Sequence, residues 1–417
     1  ADTYFISKAV GANGITALNM ALPVYGVIFA LGQMVGVGSA IRYSIVKEQY
    51  RNSNKDGSNE CDKYFSGALF WGLVIGVIFA VLGLVFPDKI VEIMGGDETI
   101  VAIGVPYFRI FMSFSPFFIF NYTCNAFVRN DGNPSVSMAA TLISSLFNIV
   151  FDYILMFPLG MGMPGAALAT ALSPVVGVMI CMIHFLSKKN TVKFKWFKTS
   201  LTRLFHCCQV GMSAFVGEMS GAVIVMVFNF IILRLTGNIG VAAYGVVANT
   251  ALVAVAVFNG VALGSQPLIS ESYGKHNIKD IKLIEKLGVA TALGLAVIIV
   301  MMIWGFTDTI VGVFNSQGSD RLLSLARVGL RIYFIGFLFA GINIFCSSAL
   351  SAIASVKWAF VLSILKGFVV VNVCTAILAP IFGMNGVWVA FPLSEFILLI
   401  ISGFAMKKSI GALESER

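Results

Sequence analysis

Eleven stretches of this chain are apolar for more than 20 residues each: 15–41, 64–86, 102–127, 136–158, 165–187, 208–235, 241–269, 284–306, 328–350, 358–380 and 384–405. About 20 apolar residues is what a helix needs to cross the hydrocarbon core of a bilayer. In that core every backbone polar group must be bonded within the protein, so only helices and closed barrels span it. Runs this long fit helices rather than the ~10-residue strands of a barrel. The sequence therefore predicts an all-α polytopic membrane protein. Only 12% of its residues are charged, against about 25% in soluble proteins. Before the first complete run, Ala1 to Lys8 reads as the back half of another helix. The expected total is twelve transmembrane helices, the first truncated.

The charge is placed, not spread. The net charge is +8, and 20 of the 28 Lys and Arg fall on alternate connections and the tail. They are Arg42, Lys47, Arg51, Lys55 and Lys63; Arg129; Lys188, Lys189, Lys193, Lys195, Lys198 and Arg203; Lys275, Lys279, Lys282 and Lys286; and Lys357, Lys407, Lys408 and Arg417. The opposite connections are short and almost cation-free, as at 157–162. The positive-inside rule puts the 20 cations and the C-terminus in the cytoplasm of a plasma-membrane protein. This excess is a topology signal, so no nucleic-acid partner is expected. The seven cysteines are scattered without metal-ligand spacing and read as small packing residues. The histidines, His184, His206 and His276, form no cluster, and Asp131-Gly-Asn-Pro134 reads as a cytoplasmic turn.

The two halves repeat. Gly11, Gly14 and Ala17 match Gly237, Gly240 and Ala243 at an offset of 226. Arg109, Asn121, Cys124 and Pro158 match Arg331, Asn343, Cys346 and Pro380 at 222, and Gly165 matches Gly386 at 221. Six spans per half means both halves enter the membrane alike, which predicts a parallel repeat. The expected division is a first lobe over 1–190, a cytoplasmic linker over 191–207 and a second lobe over 208–417.

Four polar positions of the first half become apolar in the second. Asp2 pairs with Phe228, Asn148 with Val370, Asp152 with Cys374 and Thr170 with Phe391. Asn148 and Asp152 are four apart and share one helix face. A carboxylate at bilayer depth costs roughly 2.5–3.5 kcal/mol on insertion scales and by default marks an ion or proton pathway. The fold does not require these groups, since the repeat dispenses with them. They are expected to form one pocket that binds Na⁺ or H⁺.

These residues resemble the multidrug and toxic compound extrusion (MATE) transporters of prokaryotic type. The resemblance runs over essentially the whole chain: Asp2-Thr-Tyr-Phe-Ile6 before a Gly-containing link, Ala21-Leu-Pro23, Asn148-x-x-x-Asp152, Gly165-Ala-Ala-Leu-Ala-Thr170, Gly237 to Ala248, and Gly386-Val-Trp-Val-Ala-Phe-Pro-Leu-Ser-Glu395. It implies two six-helix bundles and export of organic cations in exchange for Na⁺ or H⁺, with Asp2, Asn148, Asp152 and Thr170 as the coupling set. Glu218 is a possible second acidic site. Glu395 and Lys366 are candidates for a structural or conformational pair. Pro23, Pro116, Pro174, Pro267 and Pro392 are points where a span can bend. No enzyme motif or Walker lysine loop is present, so neither catalysis nor a cofactor is expected, and the protein is expected to be a monomer whose partners are organic cations and lipid. The alternative is a flippase for a lipid-linked saccharide or precursor, whose cavity would need cations beyond Lys366, Arg109 and Arg331.

Overall fold

A computed structural model describes residues 2–53, 58–197, 200–314 and 319–415. The described residues are helical almost throughout and contain no strand. Three of the basic residues named above, Lys55, Lys198 and Arg417, lie outside them.

The chain divides into two compact units, Ala1–Phe215 and Val216–Arg417. The first contains α1 (Asp2–Ala9), α2 (Ala12–Asn52), α3 (Ser58–Val85), α4 (Pro87–Ile93), α5 (Glu98–Ser113), α6 (Ser115–Asn130), α7 (Pro134–Met156) and α8 (Gly162–Phe185). A long helix, α9 (Leu201–Gly274), leads into the second unit, followed by α10 (Ile278–Phe314), α11 (Asp320–Tyr333), α12 (Phe337–Ala352), α13 (Val356–Ile364) and α14 (Val371–Ser415). Among the described residues, ten stretches are long and apolar enough to span a bilayer when the bent pair α5–α6 is taken as one. One of them, Val356–Ser415, is broken at Gly383 and supplies two. With the short α1, this is the expected twelve-helix arrangement.

Helix ends follow caps and breakers rather than polarity. α2 runs to Asn52, so Arg42, Lys47 and Arg51 are helical rather than in a loop. Nothing between Ser39 and Arg51 breaks a helix, and Tyr43 and Ile45 are buried there. Lys407 and Lys408 likewise lie on α14. The apolar run 102–127 is bent by 44° where α5 meets α6. Pro116 sits in the first turn of α6, where a missing N–H leaves the helix intact but cannot continue the previous one. Asp97 caps α5, its side chain accepting from the Ile100 N–H at 2.8 Å.

The backbone carries the repeat more clearly than the side chains do. Gly11 (φ 83°, ψ −159°) breaks the chain between α1 and α2, and Gly237 (φ 69°, ψ −159°) breaks α9 at the matching place. Gly162 (φ 56°) and Gly383 (φ 58°), 221 apart, form a second pair. The third pair is Gly132 (φ 82°) and Ala354 (φ 54°), 222 apart. Here an alanine holds a left-handed conformation that costs an L-residue about 1–2 kcal/mol. Ala354→Gly is therefore expected to stabilise the protein by about 1 kcal/mol, read as a higher thermal unfolding midpoint. An unchanged or lower midpoint would contradict the assigned backbone.

Within the first unit α7 and α8 pack along each other, and α1 lies against α2, α7 and α8. That brings Asp2, Asn148, Asp152 and Thr170 to one place. Apolar packing around them includes Ile6, Phe108, Phe111 and Ala166, all fully buried.

Candidate functional site

On α7, Ser145, Asn148 and Asp152 follow helical spacing on one face, and Thr170 and Ser173 do so on α8. Thr170 Oγ1 donates to Asp2 Oδ2 at 3.3 Å, and Asn148 Nδ2 donates to Thr170 Oγ1 at 3.4 Å. A cavity of about 330 Å³ opens on this set, lined by Asp2, Tyr25, Ser145, Asn148, Thr170 and Ser173, together with Ile149. Asp152 lies behind it, 0% exposed, and among the described residues neither carboxylate oxygen accepts from an N–H or hydroxyl donor. Its acidic neighbour is Asp2.

A buried carboxylate normally accepts several hydrogen bonds, because leaving it unpaired forfeits its solvation without return. Two carboxylates brought together cannot both be ionised cheaply in such surroundings. The pair needs a proton, or a cation whose charge is shared between them. All the ligating groups on offer are oxygens, which suits a hard cation. Among the described residues no three His, Cys, Asp or Glu gather into a metal site, so the pocket offers two negative charges and neutral oxygens only.

Sequence reasoning missed the tyrosines. Tyr107 on α5 is 2% exposed and lies beside Thr170, near both carboxylates. Tyr25 lines the cavity and stacks on Phe111 at 4.6 Å. Ser145 and Ser173 carried a signal, since each lies three residues from a predicted member on the same face.

The matching region of the second unit is apolar. Phe228 is fully buried and stacks on Tyr244 at 5.2 Å, and Phe391 stacks on Tyr333 at 4.1 Å. Cys374 is buried and is not in a disulfide.

The second unit's own polar residues are arranged differently. Glu395 accepts from Asn343 Nδ2 at 2.7 Å, and Ser402 Oγ donates to Asn343 Oδ1 at 2.8 Å. Lys366, in a π-helical turn over Leu365–Val370, comes within 3.9 Å of Glu395. Glu395 is thus a satisfied carboxylate where Asp152 is not. Glu218 is exposed on α9 with no ion pair among the described residues. Arg109 and Arg331 are exposed on their helices rather than gathered in a cavity.

Residues 1–154 and 214–381 match the MatE family. Multidrug export protein MepA of Staphylococcus aureus (strain bovine RF122 / ET3-1) is 27% identical over 405 residues, covering 94% of this chain and 85% of that protein. MepA of Staphylococcus saprophyticus is 25% identical over 391 residues, covering 93% and 84%. Among solved structures, an outward-facing multidrug resistance MATE transporter of the MOP superfamily has a TM-score of 0.92 over 99% of this chain and 91% of that one, at 21% identity. A MOP superfamily transporter from Pyrococcus furiosus, described as having a binding pocket of reversed polarity, has a TM-score of 0.89 at 21% identity, covering 99% and 91%. Twelve helices in two repeated sets, a polar pocket in the first set and a family match over most of the chain agree: the chain belongs to the multidrug and toxic compound extrusion (MATE) family of membrane transporters.

Proposed function

We propose that the protein is a secondary antiporter that exports cationic or amphipathic organic compounds, driven by entry of Na⁺ or H⁺ through the pocket of Asp2, Asn148, Asp152 and Thr170. The observation that carries this is Asp152, a fully buried carboxylate with no N–H or hydroxyl donor among the described residues, whose side-chain partner is a second carboxylate, Asp2. Relatives named as multidrug exporters support the substrate class. Two lobes, 1–190 and 208–417, joined by a connector at 191–207, alternate between inward- and outward-open states. The basic side and the C-terminus face the cytoplasm. The working unit is a monomer in the plasma membrane, with no cofactor besides the coupling ion.

A bound Na⁺ or proton supplies positive charge that offsets the two carboxylates. Asp2 and Asp152 hold it, and the oxygens of Asn148 and Thr170 complete the shell. α1, α7 and α8 contribute one part each, so loading draws three helices together, and emptying leaves two like charges that push them apart. A difference in charge between loaded and empty pockets biases the lobe between two conformations. Substrate and coupling ion then compete for the protein through those conformations rather than through shared contacts.

The test is uptake of a fluorescent organic cation into inside-out vesicles, whose orientation is verified by trypsin cutting at Lys188–Lys189. An imposed gradient of Na⁺ or of protons is expected to drive accumulation. Uptake that ignores both gradients would overturn antiport, and cutting from outside intact cells would overturn the topology.

A further inference from the structure

A second cavity lies in the first unit, away from the paired carboxylates. α3 and α8 both pack on α6, and a cleft of about 750 Å³ runs in the groove between them. Its floor is apolar, including Phe120 and Cys124 of α6 and Val178 of α8. Its mouth is flanked by side chains that a soluble protein would hide: Phe70 is 37% exposed, Leu73 44% and Met182 43%.

One end of the cleft is roofed by residues 192–197, a strap without regular secondary structure. Alternate backbone amides of the connector are pinned to side chains of the unit. Thr191 N–H donates to Asp131 Oδ2 at 2.9 Å, Lys193 N–H to Asp62 Oδ1 at 2.9 Å and Lys195 N–H to Ser66 Oγ at 3.0 Å. The strap thereby fixes Phe194 and Trp196 at the cleft, their rings 5.5 Å apart, with Trp196 86% exposed. Tryptophan prefers the boundary between hydrocarbon and headgroups.

Four cations line this end: Lys63, Lys193, Lys195 and Arg203. Two carboxylates offset them. Glu60 pairs with Lys63 and with Arg203, and Asp62 pairs with Lys195 at 2.8 Å. Among the described residues the rim keeps two net positive charges, and Lys193 has no carboxylate partner. An apolar slot capped by net positive charge complements an acyl chain capped by a phosphate and repels an organic cation.

We propose that this cleft is a binding site for one anionic phospholipid of the leaflet on the basic side, the cytoplasmic one under the topology above. One acyl chain fills the groove over Phe120, and the phosphate meets Lys63, Lys193 and Arg203. The lipid joins the connector strap to the wall of the first lobe.

Gly67 offers a variant that leaves every charge in place. It lines the cleft on α3, and a Cβ there meets nothing within 4 Å. Gly67→Leu puts a side chain into the slot without straining the helix. The experiment is native mass spectrometry of the delipidated full-length protein, titrated with phosphatidylglycerol and with phosphatidylcholine of the same acyl chains. One phosphatidylglycerol is expected to bind about tenfold more tightly than phosphatidylcholine. That preference is lost in Gly67→Leu and in Lys193→Gln/Arg203→Gln, is retained in Lys193→Arg, and resists an excess of inorganic phosphate. Thermal unfolding without lipid separates a filled cleft from a misfolded one, and Gly67→Leu is expected to match the unmodified protein. Equal binding of the two lipids, a preference that survives both variants, or displacement by inorganic phosphate alone would each overturn the proposal.

Discussion

Asp152→Asn is expected to abolish gradient-driven export while leaving the amount of protein in the membrane unchanged. Asparagine keeps the shape of the side chain and removes the charge that loading must neutralise. The structure makes the two halves of this expectation separable. Neither Asp152 oxygen accepts from an N–H or hydroxyl donor among the described residues and the residue is 0% exposed, so the replacement strands no such donor, and the new amide can itself donate to the neighbouring Asp2 carboxylate. Burying an amide is cheaper than burying an unpaired carboxylate. The thermal midpoint of Asp152→Asn should therefore hold or rise even as transport falls to background. Asp2→Asn should lose transport in the same way. Cys374→Ser, at the position the repeat sets against Asp152, should transport normally. Full export by Asp152→Asn at matched expression would show that the pair does not couple transport. A falling midpoint would show that Asp152 holds the fold.

The sequence was most readable where one physical rule acts locally. Long apolar runs mark spans because a bilayer tolerates little else. Spacing of four placed Asn148 and Asp152 on one helix face. Comparing the halves isolated Asp2 and Thr170 as well, since a shared scaffold shows which polar groups it can do without. The less readable parts depended on contacts distant in sequence. Tyr25 and Tyr107 are two aromatics among many apolar neighbours, and only the packing of α2 and α5 brings them to the pocket. Helix ends were misjudged because a helix does not stop where the membrane does. Arg42 and Lys47 continue α2 past its apolar run until capping, not polarity, ends it. Asp131 and His184 read as a turn residue and a span-end histidine, and nothing in the intervening sequence announces the pairing of residues 53 positions apart.

That pairing leads to the second large effect, at Asp131. Its carboxylate takes five donors. Tyr43 Oη at 3.0 Å, Lys47 Nζ at 3.0 Å and the Thr191 hydroxyl reach Oδ1. His184 Nε2 and the Thr191 N–H reach Oδ2, each at 2.9 Å. Asn133 Nδ2 donates to His184 Nδ1 at 3.2 Å, which leaves Nε2 as the nitrogen carrying the proton toward Asp131. At the repeat offsets the second unit puts Ile269, Ile353 and Ala405 in place of Tyr43, Asp131 and His184, and all three belong to one apolar core. The fold is again satisfied by apolar residues, so the charged version has a different task, and the extra partner it holds is Thr191 at the start of the strap. Burial opposes ionisation of Asp131, but the Thr191 hydroxyl and amide and the Lys47 ammonium outweigh it and hold the carboxyl below its ordinary range. Asp131→Asn removes the charge and leaves donors facing an amide, a loss of about 3 kcal/mol. Exchange of the Thr191, Lys193 and Lys195 amides should then quicken roughly a hundredfold at neutral pH. A depressed carboxyl stabilises fully above its unfolded value of about 3.9 and loses that contribution as pH falls through the lower folded value. The gap between Asp131→Asn and the unmodified protein should accordingly be constant above about pH 5 and close only in stronger acid. A gap that widens on acidification, or strap amides that exchange equally in both proteins, would remove Asp131 as the anchor of the connector.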